Sequence, residues 1–342
     1  MHRASPKFLG LSVLLLATFA CSPSSGNTPQ EPEAPAVRVD TRKPIRFDGE
    51  AAWKDMVRTV ELGPRHPGSP ALEQTRMWIE EEARKLGLKP ERETFKHKVP
   101  VTANTPTGEV EFGNVIITLV AAVPEGAPPA PILYVAGHID TKFLGPRFVG
   151  ANDGGSSFGA VMELMRGVVA AGPRPVTYRF AFFDGEESFH PTEWSNPNNT
   201  FGSRHHANKI KGNGDLFHTG AFVLLDLVAE KDVQLDWDIN STSWLRDIVW
   251  GEAKSQGLEK HVGRGPGSAI SDDHLPFKSL RVPVIDLIDL KYGGPTRPFW
   301  HSDEDTLDKC SPDSLQVIGN IVCGALPKIE DEVLRRKALK AD

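Results

Sequence analysis

Cysteine is scarce in this chain: three among 342 residues, too few to staple a disulfide scaffold. Basic charge is not in excess either. Lys and Arg total 39 against 45 Asp and Glu, a net charge of −6, which argues against a face built to hold a polyanion and so against nucleic acid as a partner. Beyond residue 20 no long apolar run escapes interruption by charge, which excludes a multi-span membrane protein. No internal repeat is visible. What is present is a globular composition, with 39% apolar residues, 25% charged, 31 Gly and 28 Pro.

The N-terminus reads as an export signal. Arg3 and Lys7 precede an apolar run from Phe8 to Phe19, too short to span a bilayer, and Ala20 and Cys21 follow. The pattern resembles a bacterial lipoprotein signal, in which the cysteine becomes the lipidated first residue of the mature chain; Thr18 and Phe19 depart from the aliphatic and small residues usual there. The alternative is ordinary signal cleavage near Ala20. Residues 1–21 are therefore expected to direct export, to the periplasm or to an outer-membrane anchor at Cys21 that is the protein's only tie to a membrane. Residues 22–46 are rich in Pro, Ser and Glu and bury too little apolar surface to offset ordering entropy, so they read as a tether. The remainder, 47–337, is about 290 residues, a normal length for one α/β enzyme domain, with 338–342 as a tail. Cys310 and Cys323 stand thirteen residues apart on an expected terminal helix, an awkward separation for a disulfide. A monomer is the default expectation.

Short apolar runs bounded by Gly, Pro or Asn predict buried strands at Asn114–Val120, Pro131–Ala136, Tyr178–Phe183, Ala221–Leu227 and Val282–Ile288. Helical spacing links Leu72, Thr75, Ile79, Ala83 and Leu86, and again Phe158, Val161, Met162, Met165 and Val169, where Ser156 and Ser157 are candidate caps. Trp244, Ile248 and Ala253 suggest a further helix. Strands alternating with helices predict an α/β fold with a mostly parallel sheet covered on both faces and ligands collected at the strands' carboxyl ends.

Acids and histidines fall at those ends. The second strand runs into His138-Ile139-Asp140, the Gly-rich segment GANDGG at 150–155 carries Asp153, the third strand ends in Asp184-Gly185-Glu186-Glu187, the fourth in Asp226, and a late loop holds Trp300-His301. Oxygen and imidazole donors drawn from several strand ends suit a catalytic Zn²⁺, which takes three protein ligands and keeps a position open; a Glu beside a ligand Glu can then move protons. Singly, each piece has a plainer explanation. Asp-Gly is usually a turn, a Glu pair is usually a solvated face, and a histidine at a strand end is usually a satisfied polar side chain. Their recurrence at successive strand ends is what carries weight.

These residues, with GSRH at 202–205, LLDL at 224–227 and SDDHLPF at 271–277, resemble the animal-type glutaminyl-peptide cyclotransferases, zinc enzymes built on a co-catalytic zinc aminopeptidase fold. The resemblance runs from about Trp53 to the end of the terminal helix, and the SDDHLPF segment, Trp194 and the Trp300-His301 pair are its discriminating parts. It implies a three-layer α/β/α domain with a mixed, twisted sheet in an exported, bacterial member. It implies one Zn²⁺ on Asp153, Glu187 and His301, Glu186 as the proton-transfer residue, Asp226 and Asp272 in an acidic network behind it, and Trp194 and Trp300 as pocket walls. The reaction implied is cyclisation of an N-terminal Gln of a peptide or protein to pyroglutamate with release of ammonia. The substrate's own amine is the attacking group, so positioning removes much of the entropic barrier.

Two departures and several plainer readings accompany the resemblance. Gly137 stands where the animal enzymes carry a disulfide cysteine, and no Cys lies between Cys21 and Cys310, so that disulfide is absent. Thr296 occupies a family pocket-aromatic position, with Phe299 nearby as a substitute. Trp194 and Trp300 are equally readable as ordinary half-buried aromatics, Asp272 and Asp273 as a turn before Pro276, and His274 as structural. The polar stretch His190–Thr200 reads as a surface loop over the site. Two further functions stay open: an exported di-zinc aminopeptidase recruiting His138 and Asp226 to a second metal bridged by Asp153, with Asp140 second-metal or supporting, and a non-catalytic zinc-dependent binding protein, against which an intact Glu186 speaks.

Overall fold

The computed structural model describes residues 42–189, 194, 197–294, 296 and 298–341; the expected signal and the tether up to residue 41 lie outside them. Helices α1 (Gly49–Glu61), α2 (Pro70–Lys85), α3 (Gly155–Ala170), α4 (Phe201–Asn213), α5 (Ser243–Ser255), α6 (His274–Ser279) and α7 (Pro312–Ala341) surround six strands. The strands are β1 (Pro90–Lys98), β2 (Glu109–Leu119), β3 (Ile132–His138), β4 (Thr177–Phe183), β5 (Thr219–Asp226) and β6 (Val284–Ile288). The packed region already includes residues before Phe47, because Ile45 is buried and Arg42 pairs with Glu330 at 2.8 Å.

The sheet order is β1-β2-β4-β3-β5-β6. Strands β4, β3, β5 and β6 are parallel, while β1 and β2 form an antiparallel extension along β4. This is the mixed, mostly parallel sheet expected. All seven residues of β3 are buried, the signature of a strand covered on both faces. Apolar residues of α1, α2, α3, α5 and α7 pack on one face, including Ala52, Met56, Leu72, Ile79, Met162, Val249 and Ile321. On the other face Ala207 and Ile210 of α4 and Phe277 of α6 meet Tyr134, Phe183 and Phe222. The result is three layers.

All five expected strands are present, and β1 is added to them. Its sequence, PERETFKHK, is charged because it is an edge strand with one exposed side, which suppresses the apolar signal and discourages edge-to-edge pairing. Helix α2 begins as its sequence suggests, with Ser69 accepting the Leu72 N–H and Pro70 at the first turn. Helix α3 does not. The chain enters it at Gly154 with φ +82°, and Ser156 and Ser157 lie inside the helix rather than capping it. Their hydroxyls tie neighbouring segments together instead: Ser156 accepts the Val228 N–H at 3.0 Å and Ser157 donates to Asp226 at 3.3 Å. Cys310 and Cys323 are both buried free thiols.

At the base of the sheet Glu330 of α7 is fully buried and receives two bonds of 2.8 Å from the Arg174 guanidinium, with the Tyr178 hydroxyl as a further donor. Removing the guanidinium takes two hydrogen bonds from a buried carboxylate and leaves it Arg42 as its cationic partner. Arg174→Met is expected to destabilise the protein by about 1–3 kcal/mol, read as a lowered urea midpoint, whereas a double substitution that also neutralises Glu330 recovers part of that loss.

Candidate metal centre and pocket

Strands β3, β4 and β5 run parallel and end side by side at His138, Phe183 and Asp226. Everything that follows is held at that rim. After β4 the chain turns through Asp184-Gly185-Glu186-Glu187. Asp184 is fully buried; its carboxylate accepts the Gly113 N–H at 2.7 Å and pairs with Arg76 of α2, and its own N–H donates to Asn114. Gly185 has φ +70°, and a Cβ there would stand 2.4 Å from the Phe112 ring, so the turn needs glycine. Asp140 then accepts the N–H of Glu186 at 3.1 Å on one oxygen and that of Glu187 at 3.3 Å on the other.

The GANDGG loop is held as tightly. Arg65, fully buried, donates to the carbonyls of Ile139, Val149 and Gly150. Gly154 packs so closely that an added Cβ would lie 2.5 Å from the Asp140 carbonyl and 3.2 Å from the His138 ring. His301 sits on the opposing loop with φ +55°, a strained conformation for a non-glycine residue and a mark of functional positions.

These loops bring together two groups of donor atoms, each within 4.8 Å: Asp153, Glu187 and His301, and His138, Asp153 and Asp226. In the first, His301 Nε2 is 3.0 Å from Glu187 Oε2 and 3.5 Å from Asp153 Oδ2. In the second, His138 Nε2 is 3.1 Å from Asp226 Oδ1 and 3.4 Å from Asp153 Oδ1. The first group fits a zinc ion: its donors are two carboxylates and an imidazole, and Glu187 Oε1 is buried with no hydrogen-bond partner. Asp140 belongs to neither group and acts on the Glu pair through its amides.

A pocket of about 410 Å³ opens onto Asp153, Glu186, Asp226, Asp272 and His301. Trp194 and Trp300 wall it together with Ile270, Ile288 and Leu290. The Trp194 indole donates to the Ser271 carbonyl at 3.0 Å, and the Trp300 ring lies 4.5 Å from that of His301. Phe299 does not line this pocket: it turns into the layer beneath, edge-on to Tyr292 at 5.3 Å, because the Tyr292 ring offers a buried apolar partner there. Thr296 is exposed. Within His190–Thr200 only residues 194 and 197–200 are described, and of these Asn199 and Thr200 are buried rather than on the surface.

The model of Peptidase family M28 matches residues 114–326, more than half of the sequence. The chain belongs to peptidase family M28. Among curated relatives, the glutaminyl-peptide cyclotransferase-like protein of Mus musculus is 31% identical over 304 residues, covering 81% of this chain and 75% of its own. Among solved structures, an Acidobacteriales bacterium glutaminyl cyclase superposes with a TM-score of 0.75 at 32% identity, covering 88% of this chain and 99% of its own. A leucine aminopeptidase precursor from Bacteroides thetaiotaomicron shares the fold, with a TM-score of 0.69 at 22% identity over 83% of this chain and 98% of its own.

Within this M28 site the electrostatics divide neighbouring acids. Burial and then the Asp272 charge push Glu186 well above the ordinary carboxylate range. Burial acts on Glu187 too, but His301, Lys142 and His138 outweigh it and hold that carboxyl below its usual value. His138 is pulled down by burial, yet Asp226, Asp140 and Asp153 together keep it protonated well above its usual range. Behind Glu186 the acidic network is larger than the sequence suggested. Burial raises Asp272 and Asp286 strongly and Asp273 to about 7, and the buried His274, pushed down to about 4, stands 3.5 Å from both Asp238 and Asp286. Asp286 was legible as a charge inside the apolar strand VIDLI; Lys142, the cation 3.5 Å from Glu187, carried only its place two residues after Asp140.

A raised carboxyl means that the folded state binds a proton the unfolded chain releases near pH 4, so stability from that group is lost as pH rises toward 7. The Ser203 hydroxyl donates to Asp273, and Asp273→Asn removes the titration while keeping that acceptor. The difference in thermal midpoint, variant minus parent, is expected to become more positive between pH 5 and pH 8; a pH-independent difference would contradict the shift.

Proposed function

We propose that the protein is a zinc-dependent glutaminyl-peptide cyclotransferase, converting an N-terminal Gln of peptides or proteins to pyroglutamate with release of ammonia. One observation carries the reading: Glu186, its proton affinity raised, faces a tryptophan-walled pocket directly beside the Asp153, Glu187 and His301 donor group. When bound by those three residues, zinc supplies Lewis-acid polarisation of the side-chain amide carbonyl. Trp194, Trp300 and the apolar wall exclude water and hold the Gln side chain within reach of its own amine. Glu186 accepts the proton that the amine sheds on attack and returns it to the departing ammonia. Burial and then the Asp272 charge raise the proton affinity of Glu186, so its carboxylate is a stronger base toward the amine proton.

The second reading, a two-metal aminopeptidase, draws on the His138, Asp153 and Asp226 group. The hydrogen bonding favours one ion over two. Asp226 Oδ1 already accepts from Leu227 N at 2.8 Å, from His138 Nε2 at 3.1 Å and from Ser157 Oγ at 3.3 Å, so that oxygen is satisfied from within the protein. Metal analysis and products separate the readings. One zinc per chain with ammonia from a Gln-initiated peptide is expected; two zincs with free amino acids overturn the proposal.

Glu186→Gln is expected to retain zinc and lose at least about 100-fold in kcat, and Glu187→Gln to lose zinc affinity first. Full activity with normal zinc content in both variants would remove these assignments. The location belongs to the same proposal: residues 1–21 direct export, and Cys21 carries lipid. Intact-mass spectrometry of the full-length product is expected to show an acylated N-terminal Cys21, whereas an unmodified mature start favours ordinary cleavage.

A further inference from the structure

Asp305 belongs to neither donor group and lines no part of the pocket, yet it is fully buried four residues beyond His301. Its carboxylate is spanned by two consecutive amides: Oδ1 accepts the Asn152 N–H at 2.8 Å and Oδ2 the Asp153 N–H at 3.1 Å. The Tyr292 hydroxyl donates to Oδ1 at 2.8 Å, and the Asp305 carbonyl accepts the Ala151 N–H at 3.4 Å. The loop bearing Asp153 is thus bound at its start by Arg65 and at its functional end by Asp305. Asp140 holds the amides of Glu186 and Glu187 in the same way, so two of the three candidate ligands hang from a peptide N–H gripped by a buried carboxylate.

Taking the zinc reading above as its basis, we infer that Asp305 is a positioning residue that fixes the Asp153 carboxylate against His301 and so sets zinc affinity. The geometry explains why a carboxylate is required. All three groups facing its side chain are donors, and both oxygens must accept. An amide in its place would turn an N–H₂ toward the Asp153 N–H in one orientation and toward both the Asn152 N–H and the Tyr292 hydroxyl in the other, and the Asn152-Asp153 backbone would have to move away. Because Asp305 and His301 share a loop, any such movement changes the separation between two ligands rather than displacing them together.

The test uses full-length protein stripped with a chelator, titrated with Zn²⁺ against a competing indicator, and melted in the stripped state. Asp305→Asn is expected to weaken zinc binding by about 10- to 100-fold, with activity on a Gln-initiated peptide restored by excess zinc. Tyr292→Phe, which removes one donor and keeps the ring, is expected to weaken it on the order of threefold, the effect of one net hydrogen bond. A merely structural Asp305 would lower the midpoint and leave the zinc affinity of the folded protein unchanged, and that result overturns the inference. Should Asp305→Asn fail to fold, unchanged affinity in Tyr292→Phe overturns it. Affinity is read without turnover, so a parent protein that binds zinc and releases no ammonia overturns the cyclotransferase reading while the affinity ratio still decides Asp305.

Discussion

Carboxylates gathered out of water are the constraint on which this structure depends. Asp153, Glu186, Glu187, Asp226, Asp272, Asp273 and Asp286 are all buried at one rim of the sheet, where each isolated negative charge would be prohibitively costly. Such a cluster persists only if its charge is met by a proton, a cation or a directed N–H. All three devices occur here. Protons stay on the acids behind Glu186, His301 and Lys142 stand against Glu187, and backbone amides are turned onto Asp140, Asp226 and Asp305. The parallel sheet makes the gathering practicable, because three strands deliver their ends to one place and the turns beyond them expose N–H groups that the ladder no longer uses.

Glu186 and Glu187 show how finely that distribution is drawn. They are adjacent in sequence and equally buried, yet one is driven to keep its proton and the other to lose it. Composition cannot make that distinction. It follows from what each side chain faces: Glu186 looks toward Asp272, Glu187 toward His301 and Lys142. Two neighbouring acids thereby acquire different work, one suited to carrying protons and the other to binding a cation.

The same contrast explains what was legible in the sequence. Strand cores such as ILYVA and FVLL announced themselves by length and composition, and the acids at their ends could be placed because a strand's end is a place. The charged edge strand β1 and the polar helix α4 were hidden, since their burial depends on partners far away in the chain. Ser156 and Ser157 had the right residue type for a cap but served the packing of β5's end instead. Phe299 lay beside the pocket wall in sequence but packs behind it, against Tyr292. Asp305 gave no signal at all, because its partners are backbone amides, and a backbone amide has no identity in a sequence.

His138 connects these arguments to the chemistry of the fold. In a two-metal site its group would hold a second cation; on the one-ion reading the imidazole, its proton affinity raised by Asp226, Asp140 and Asp153 against burial, lies between Asp226 and Asp153 and brings positive charge to the same point. A ring cation is weaker and more diffuse than a divalent ion, so it neutralises without offering an open coordination position for an activated water. On the one-ion reading an N-terminal amine poised beside its own side-chain amide supplies the attacking group, so the reaction calls for no metal-activated water.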